Sequence, residues 1–319
     1  MTRYFRAILK ICRLTVEGDY SRIGSTTFAY PKGEVRALAA CPTDPDVVAC
    51  VSADYRDTSP QFGVHLYRLD GEKGGLDNLH SDEASKSYKS FEWEPQNNKG
   101  SAICESVVDF FDMNGLKKLS SHDISGPIHA QAISPHNNGT ILGLAVGKNL
   151  VCLDSRTVKE GMSIEKAHPH RALNLDFNPN LQHCVASCGD DGSVRIWDWR
   201  NPSQALLALQ SHAHWAWQVK FHPVHDQIIL SAGSDACVVL SCIQSVSSEK
   251  NEEIGEEEDG LETERLSDGQ LERIEEHEES VYACVWSTAD PWTFASLSYD
   301  GRVVVSRVKR KHKYALLQL

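Results

Sequence analysis

One repeated interval constrains this chain more than any other property. The landmarks of the stretch from His168 to Asp198 return 44 residues later: His168 as His212, Phe177 as Phe221, Pro179 as Pro223, Ser187 as Ser231 and Asp191 as Asp235. After a further 65 residues they return as His277, Trp286, Ser296 and Asp300-Gly301. Each copy starts with alternating apolar residues (Leu173, Leu175 and Phe177 in the first) and a proline turn. A short apolar run, Val185 to Cys188, then leads through Asp191-Gly192 into a second run ending at Trp197-Asp198. Alternation broken by turn residues is the pattern of a small antiparallel meander.

A period near 44 with His at the start, Asp-Gly in the middle and Trp-Asp at the end is the signature of the WD repeat, four strands per propeller blade. The later copies keep the frame but carry Ser241 and Ser306 at the Trp197 position. Ile133, Pro135 and Asp154 hold the same frame one period upstream, and further units open at Glu34 and near Tyr88. The expectation is an all-β, WD-repeat β-propeller, seven-bladed with an incomplete first blade. Residues 1–33 form that partial blade, with Ala7 to Val16 and Ile23 to Tyr30 as its last two strands, and residues 34–319 form the others. Residues 70–87 read as a polar loop, and Tyr314 to Leu319 as the outer strand of the last blade. The interval of 65 implies an insertion, and residues 245–276 supply it as an acidic disordered segment.

In a WD repeat the His, a strand Ser, the turn Asp and the Trp can hydrogen-bond in series and satisfy groups that would otherwise be buried unpaired. His168, Ser187, Asp191 and Trp197 have that spacing, as do His212, Ser231, Asp235 and His277, Ser296, Asp300. The same residues invite a Ser-His-Asp hydrolase reading, and His168-Pro169-His170 and His212-Ala213-His214 invite a zinc reading. Threefold repetition at one spacing argues for scaffold, since an enzyme has no reason to build one site three times. No catalytic, cofactor-binding or metal-binding residue is therefore expected, and no phosphate or dinucleotide fingerprint occurs.

Residues that break the repeat are the better candidates for partner binding. Trp215 stands where the other copies have Arg171 and Ser280, and Tyr299 where they have Asp190 and Ser234. His214 and Arg171 join these two. Trp217 and Tyr282 align with Leu173 and read as core. Trp292 aligns with Gln227 and His183, at a turn expected on the opposite face.

Of the net charge of −12, residues 249–276 carry −10, with 13 acids against 3 bases. The remaining near-neutral chain gives no electrostatic reason to expect nucleic acid as a partner. Ten irregularly spaced cysteines do not make a disulfide framework, so a reducing, intracellular compartment is expected. Lys10 and Arg13 interrupt the N-terminal apolar run and no 18 apolar residues run together, so a soluble chain without direct membrane insertion is expected.

Several segments carry a more specific resemblance: Phe177-Asn178-Pro179-Asn180, His212-Ala213-His214-Trp215, His225-Asp226-Gln227, the acidic insert, Trp286-Ser287-Thr288-Ala289-Asp290-Pro291-Trp292 and Phe294-Ala295-Ser296-Leu297-Ser298-Tyr299-Asp300-Gly301-Arg302. With them the chain closely resembles the WD-repeat proteins that interact with the EARP and GARP tethering complexes. The resemblance implies a non-enzymatic adaptor whose partners are EARP and GARP subunits. It would act in endosomal recycling and endosome-to-trans-Golgi retrograde transport, in the cytoplasm and peripherally on the trans-Golgi network and recycling endosomes. The alternative is a substrate receptor of a cullin-RING ubiquitin ligase, because Trp197-Asp198-Trp199-Arg200 matches the end of a motif by which some WD-repeat proteins dock on the ligase adaptor, with Arg200 as the docking residue.

Overall fold

In the computed structural model the described residues are 10–16, 23–55, 59–71, 75–84, 86–96, 98–157, 159–249 and 267–317. They divide into two compact units, Met1–Ser125 and Gly126–Leu319. The first unit holds a ribbon of two strands, Lys10–Val16 and Ile23–Ala29, and two four-stranded antiparallel sheets. Blade 1 is Glu34–Ala40, Val47–Asp54, Gln61–Asp70 and Gly75–Ala84, and blade 2 is Ser90–Trp93, Lys99–Cys104, Val107–Asp112 and Lys117–Asp123. In the second unit, blade 3 is Ile128–Ile133, Ile141–Val146, Asn149–Asp154 and Lys159–Ile164. Blade 4 is Ala172–Phe177, Cys184–Gly189, Ser193–Asp198 and Leu207–Gln210, and blade 5 is Ala216–Phe221, Ile228–Gly233, Val238–Cys242 and Gly269–Ile274. Blade 6 has three strands, Val281–Trp286, Thr293–Ser298 and Val303–Arg307, and a helix, Arg310–Leu317, follows it.

Burial explains the composition of each strand. The second strands of blades 4 and 5, Cys184–Gly189 and Ile228–Gly233, are buried at every residue and carry small or aliphatic side chains on both faces. Such continuous apolar runs belong to strands covered on both sides. The fourth strand of blade 4, Leu207–Gln210, alternates between half-buried and exposed. Apolar clusters fill the spaces between neighbouring blades: Leu175, Phe177 and Trp197 pack with residues of blade 3, Phe221 and Ile229 with residues of blade 4, and Trp286 and Phe294 with residues of blade 5.

Polar side chains fix the spacing between blades 4, 5 and 6. Asn174 Oδ1 accepts the Val219 N–H at 3.3 Å, and Gln218 Oε1 accepts the Cys284 N–H at 2.7 Å. Asn174 and Gln218 are one period apart, so the device repeats with the fold. Asp176 adds a bond from the Phe221 N–H at 2.8 Å and an ion pair with Lys220 at 2.9 Å.

Four expectations are corrected. The described residues form six blades, not seven. The two strands assigned to an incomplete first blade pair only with each other, and Ile11, Phe28 and Tyr30 pack on Cys50, Tyr67 and Leu69 of blade 1. Their apolar side is thus used against an existing blade. Residues 7–9 of that assignment lie outside the described residues. Within residues 70–87, Gly75–Ala84 is the outer strand of blade 1, polar because it lies at a sheet edge. The C-terminal segment is helical from Arg310, since Arg-Lys-His-Lys-Tyr-Ala-Leu-Leu lacks β-branched residues and places His312 and Leu316 on one buried side. Of the acidic stretch, residues 250–266 lie outside the described residues, whereas Gly269–Ile274 is the fourth strand of blade 5.

The thiols at Cys50, Cys188 and Cys284 are free and buried, and burial pushes Cys50 and Cys284 up to about 12. Burial pushes His65, His222, His225 and His312 the other way, the first two furthest. His65 lies between Ser52 at 3.0 Å and Ser81 at 2.9 Å, and burial lowers it to about 4. His222 Nδ1 accepts the N–H groups of Val224 and His225, its Nε2 donates to the Pro291 carbonyl at 2.7 Å, and burial lowers it to about 4.

Both imidazoles stay neutral in the folded chain at pH values where the unfolded chain, with histidines near pKa ~6.5, takes up protons. Stability is therefore full above about pH 7 and falls as pH drops toward 4. Melts at pH 7 and pH 5 should show a loss of a few kcal/mol, reduced when His222 is replaced by Gln; an identical loss in that variant would remove His222 from the account.

The Asp-Gly turn gives a second prediction. Gly192 and Gly301 have φ of +73° and +78°, and their equivalent in blade 5, Ala236, is held at +61°. A Cβ in this left-handed region is strained by about 1 kcal/mol. Ala236→Gly should raise stability by up to about 1 kcal/mol in denaturant titration, whereas a loss would show that the alanine methyl is needed.

Candidate functional site

Blade 4 contains a complete buried polar series. His168 Nδ1 lies 3.0 Å from Asp191 Oδ1, its Nε2 lies 2.8 Å from Ser187 Oγ, and the Trp197 indole N–H donates to Ser187 Oγ at 3.0 Å. In blade 5 the distances are 2.8 Å for His212–Asp235 and 2.9 Å for His212–Ser231, and in blade 6 they are 3.2 Å for His277–Asp300 and 2.8 Å for His277–Ser296. Close approach of the imidazole explains the glycines beside it: a Cβ on Gly189 would stand 2.4 Å from His168 Nδ1, and one on Gly233 2.4 Å from His212 Nδ1. Burial alone would raise the Asp191 and Asp235 carboxyls. Hydrogen bonds and charge from His168 and His212 outweigh it and hold both well below the usual carboxylate range.

The seryl residues of the three sets are 0%, 1% and 3% exposed. Each hydroxyl is enclosed by its own blade, so a carbonyl carbon has no approach to it. The geometry can orient and satisfy polar groups, and it lacks the open position that nucleophilic attack requires. Among the described residues no group of three or more His, Cys, Asp or Glu side chains is placed to hold a metal ion.

Residues that depart from the repeat gather elsewhere. Arg171 is fixed by Asp190 at 3.0 Å, and its guanidinium lies 5.0 Å from the centre of the Trp215 ring. His214 and Trp217 flank that ring, with centroid distances of 5.1 and 5.5 Å. The Trp217 indole donates to Ser234 Oγ at 2.6 Å, and the Ser234 N–H donates to the Trp215 carbonyl at 2.8 Å. Ser280 Oγ then donates to the Ser234 carbonyl, and the Tyr299 N–H to the Ser280 carbonyl. Tyr299, 74% exposed, lies against Tyr282 with ring centroids 4.6 Å apart. One chain of hydrogen bonds therefore joins the Trp215 loop of blade 5 to the Tyr299 turn of blade 6.

Trp217 and Tyr282 read from the sequence as core, yet Trp217 is half-buried and Tyr282 is exposed. Both stand at a β-bulge, a position at which Leu173 of blade 4 is buried at 8% exposure. The pairing register of the first strand shifts at Trp217 in blade 5 and at Tyr282 in blade 6, as it does at Arg36, His129 and Leu173 in blades 1, 3 and 4. A bulge re-aims its extra residue, which defeats simple alternation; the departure from Leu173 to aromatic residues at this position was the available signal.

Arg200 is not part of this group. It lies past the far end of Ser193–Asp198, and its guanidinium binds both carboxylate oxygens of Asp198, at 2.6 Å for the closest contact. Arg156 holds Asp154 in the same way at 2.7 Å one period earlier. Blade 2 contains a polar set that the repeat pattern does not display: buried Asp109 accepts from Tyr88 at 2.6 Å and from Ser121, and pairs with Lys86 at 3.1 Å and Lys118 at 2.8 Å.

Repeated four-stranded blades with buried His-Ser-Asp sets define a WD-repeat β-propeller. The chain matches a WD domain, G-beta repeat over residues 269–305 and the family described as EIPR1 beta-propeller over residues 21–241. It is 47% identical to EARP-interacting protein 1 of Caenorhabditis elegans, over 97% of this chain and 89% of that protein. It is 40% identical to EARP and GARP complex-interacting protein 1 of Homo sapiens over 70% of this chain and 58% of that protein. Identity to WD repeat-containing protein DWA2 of Arabidopsis thaliana is 30%, over 88% of this chain and 81% of the plant protein. The chain belongs to the EIPR1 β-propeller family.

The sets differ in what one hydroxyl satisfies. Ser187→Ala strips a partner from both the His168 imidazole and the Trp197 indole, whereas Ser231→Ala strips one from His212 alone, with Ser241 at the Trp position. Denaturant titration should show a loss of about 2–4 kcal/mol for the first and about 1–3 kcal/mol for the second. Equal or negligible losses would contradict the role given to the shared oxygen.

Proposed function

We propose that this chain is a non-catalytic WD-repeat adaptor that binds the EARP and GARP tethering complexes through the aromatic cluster of Trp215, Trp217, Tyr282 and Tyr299, with Arg171 and His214 at its edge. The observation that carries the choice of surface is the continuity of that cluster across blades 5 and 6, at positions where the repeat elsewhere has polar or aliphatic residues. Half-buried Trp215 and Trp217 beside exposed Tyr282, Tyr299 and Arg171 supply contact area at small entropic cost. The names of the relatives, EARP-interacting protein and EARP and GARP complex-interacting protein, support the choice of partner. The adaptor then works where those complexes work, in endosomal recycling and in retrograde transport to the trans-Golgi network, as a cytoplasmic protein held on these membranes through its partners.

Enclosure of all three seryl hydroxyls supports the absence of catalysis. Docking of Arg200 on a ubiquitin-ligase adaptor is the weaker reading, because the guanidinium is already held by Asp198 and Arg156 repeats the arrangement.

Affinity purification from cells followed by mass spectrometry should recover tether subunits with the wild-type chain. Trp215→Ala combined with Tyr299→Ala should reduce that recovery about tenfold or more with an unchanged β circular-dichroism spectrum. Undiminished recovery would show that another surface binds, and recovery of a ligase adaptor without tether subunits would overturn the reading.

A further inference from the structure

Trp292 also departs from its equivalents, Gln227 and His183, and the aromatic cluster does not use it. Trp292 and Tyr299 bracket the strand Thr293–Ser298, which sets them at opposite ends of blade 6, about 20 Å apart along an extended chain. At the Trp292 end the chain leaves the last strand at Arg307 and turns into the helix Arg310–Leu317. Between the turn and the helix lies a groove of about 540 Å³, lined by Trp292, Arg307, Lys309, Arg310, Lys313 and Tyr314, with Val308 at its base.

The groove is both aromatic and cationic. Trp292 is stacked on His225 with ring centroids 4.9 Å apart, and Lys313 Nζ lies 5.1 Å from the Trp292 ring centre. Tyr314 is 47% exposed at the rim. Residues 307–313 contain five Lys and Arg residues and no acid. Lys309 pairs with Glu272 at 2.7 Å and Arg307 is 3.6 Å from Asp290, while Arg310 and Lys313 have no ion-pair partner among the described residues. On a chain with a net charge of −12 this is a local inversion of sign, and unneutralised cations held side by side repel one another until an anion joins them.

We propose that this groove is a second docking site, taking a short acidic segment of a protein partner whose carboxylates pair with Arg310 and Lys313 and whose aromatic or apolar side chain packs beside Tyr314. Shape and charge favour a peptide over the other polyanions. The cations line the walls of a concavity, which a flat anionic bilayer cannot enter, and a long nucleic acid would run past the groove onto a near-neutral surface that offers no further run of cations. A segment of a few residues meets neither obstacle, and charge-assisted pairing would fix its register. The site lies at the opposite end of blade 6 from the aromatic cluster and does not depend on the tether reading.

The test is fluorescence anisotropy with the full chain and a labelled peptide of alternating Glu and Asp around one Phe, against its Gln and Asn counterpart. The acidic peptide should bind and the amide peptide should not. Arg310→Glu should weaken binding about tenfold or more, whereas Lys311→Glu, on the same helix but outside the groove, should change it less than about threefold, and Trp215→Ala should leave it unchanged. Thermal melts check that each variant is folded. Equal loss from Arg310→Glu and Lys311→Glu would mean unspecific charge attraction and overturn the proposal. Equal binding of the amide peptide, no binding of the acidic one, or Arg310-dependent binding to phosphatidylserine vesicles in place of the peptide would overturn it as well.

Discussion

The structure depends on hydrogen bonds that have no water to fall back on. In blades 4, 5 and 6 an imidazole lies between a turn carboxylate and a strand hydroxyl, and in each set the ring and the hydroxyl are out of reach of solvent. A donor or acceptor left unpaired in such a place costs about 1–3 kcal/mol. The loop before each blade is therefore tied to the second strand and to the turn after it. The glycine beside each of the first two imidazoles, the tight Asp-Gly turn and the buried second strand follow from that one constraint. Blades 1 and 2 meet the same need with other residues, His65 between two serines and Asp109 between a tyrosine and two lysines.

Once the blade frame is fixed, the surface can vary without risk to the fold. Asn174, Gln218 and Asp176 bind backbone N–H groups of the following blade, so first strands of adjacent blades are held in register whatever their loops carry. The aromatic cluster uses this freedom: Trp215 and Tyr299 are loop residues, and Trp217 and Tyr282 sit at bulges where the strand no longer dictates direction. The basic groove uses it again at the other end of blade 6, where a helix follows the third strand.

The repeat made much of this legible from the sequence. A spacing of 19 residues from His to Ser and 23 from His to Asp, found three times, locates blades 4 to 6 and marks their buried polar sets. It could not give the blade count, because the segment Lys10–Val16 and Ile23–Ala29 has the alternation of blade strands and only packing on Cys50, Tyr67 and Leu69 shows that it is a ribbon laid on blade 1. Trp217 and Tyr282 read as core because they share a repeat position with buried Leu173, and at a bulge the residue is not bound to the alternation of the ladder, so its burial differs from blade to blade. The outer strand Gly75–Ala84 was hidden for a different reason: an edge strand exposed to water is chosen for polarity and reads as a loop.

Hydrogen–deuterium exchange on His212→Ala measures most directly whether the buried sets hold the blades. The account predicts faster exchange across Ile228–Gly233 and Val238–Cys242, because Ser231 in the first strand and Asp235 in the turn between the two lose the imidazole that ties them together. It also predicts faster exchange in Val281–Trp286, whose Cys284 N–H depends on Gln218 in the same blade. Protection unchanged in all three strands would contradict it, since the imidazole would then be a passenger in a blade held by its backbone ladder alone.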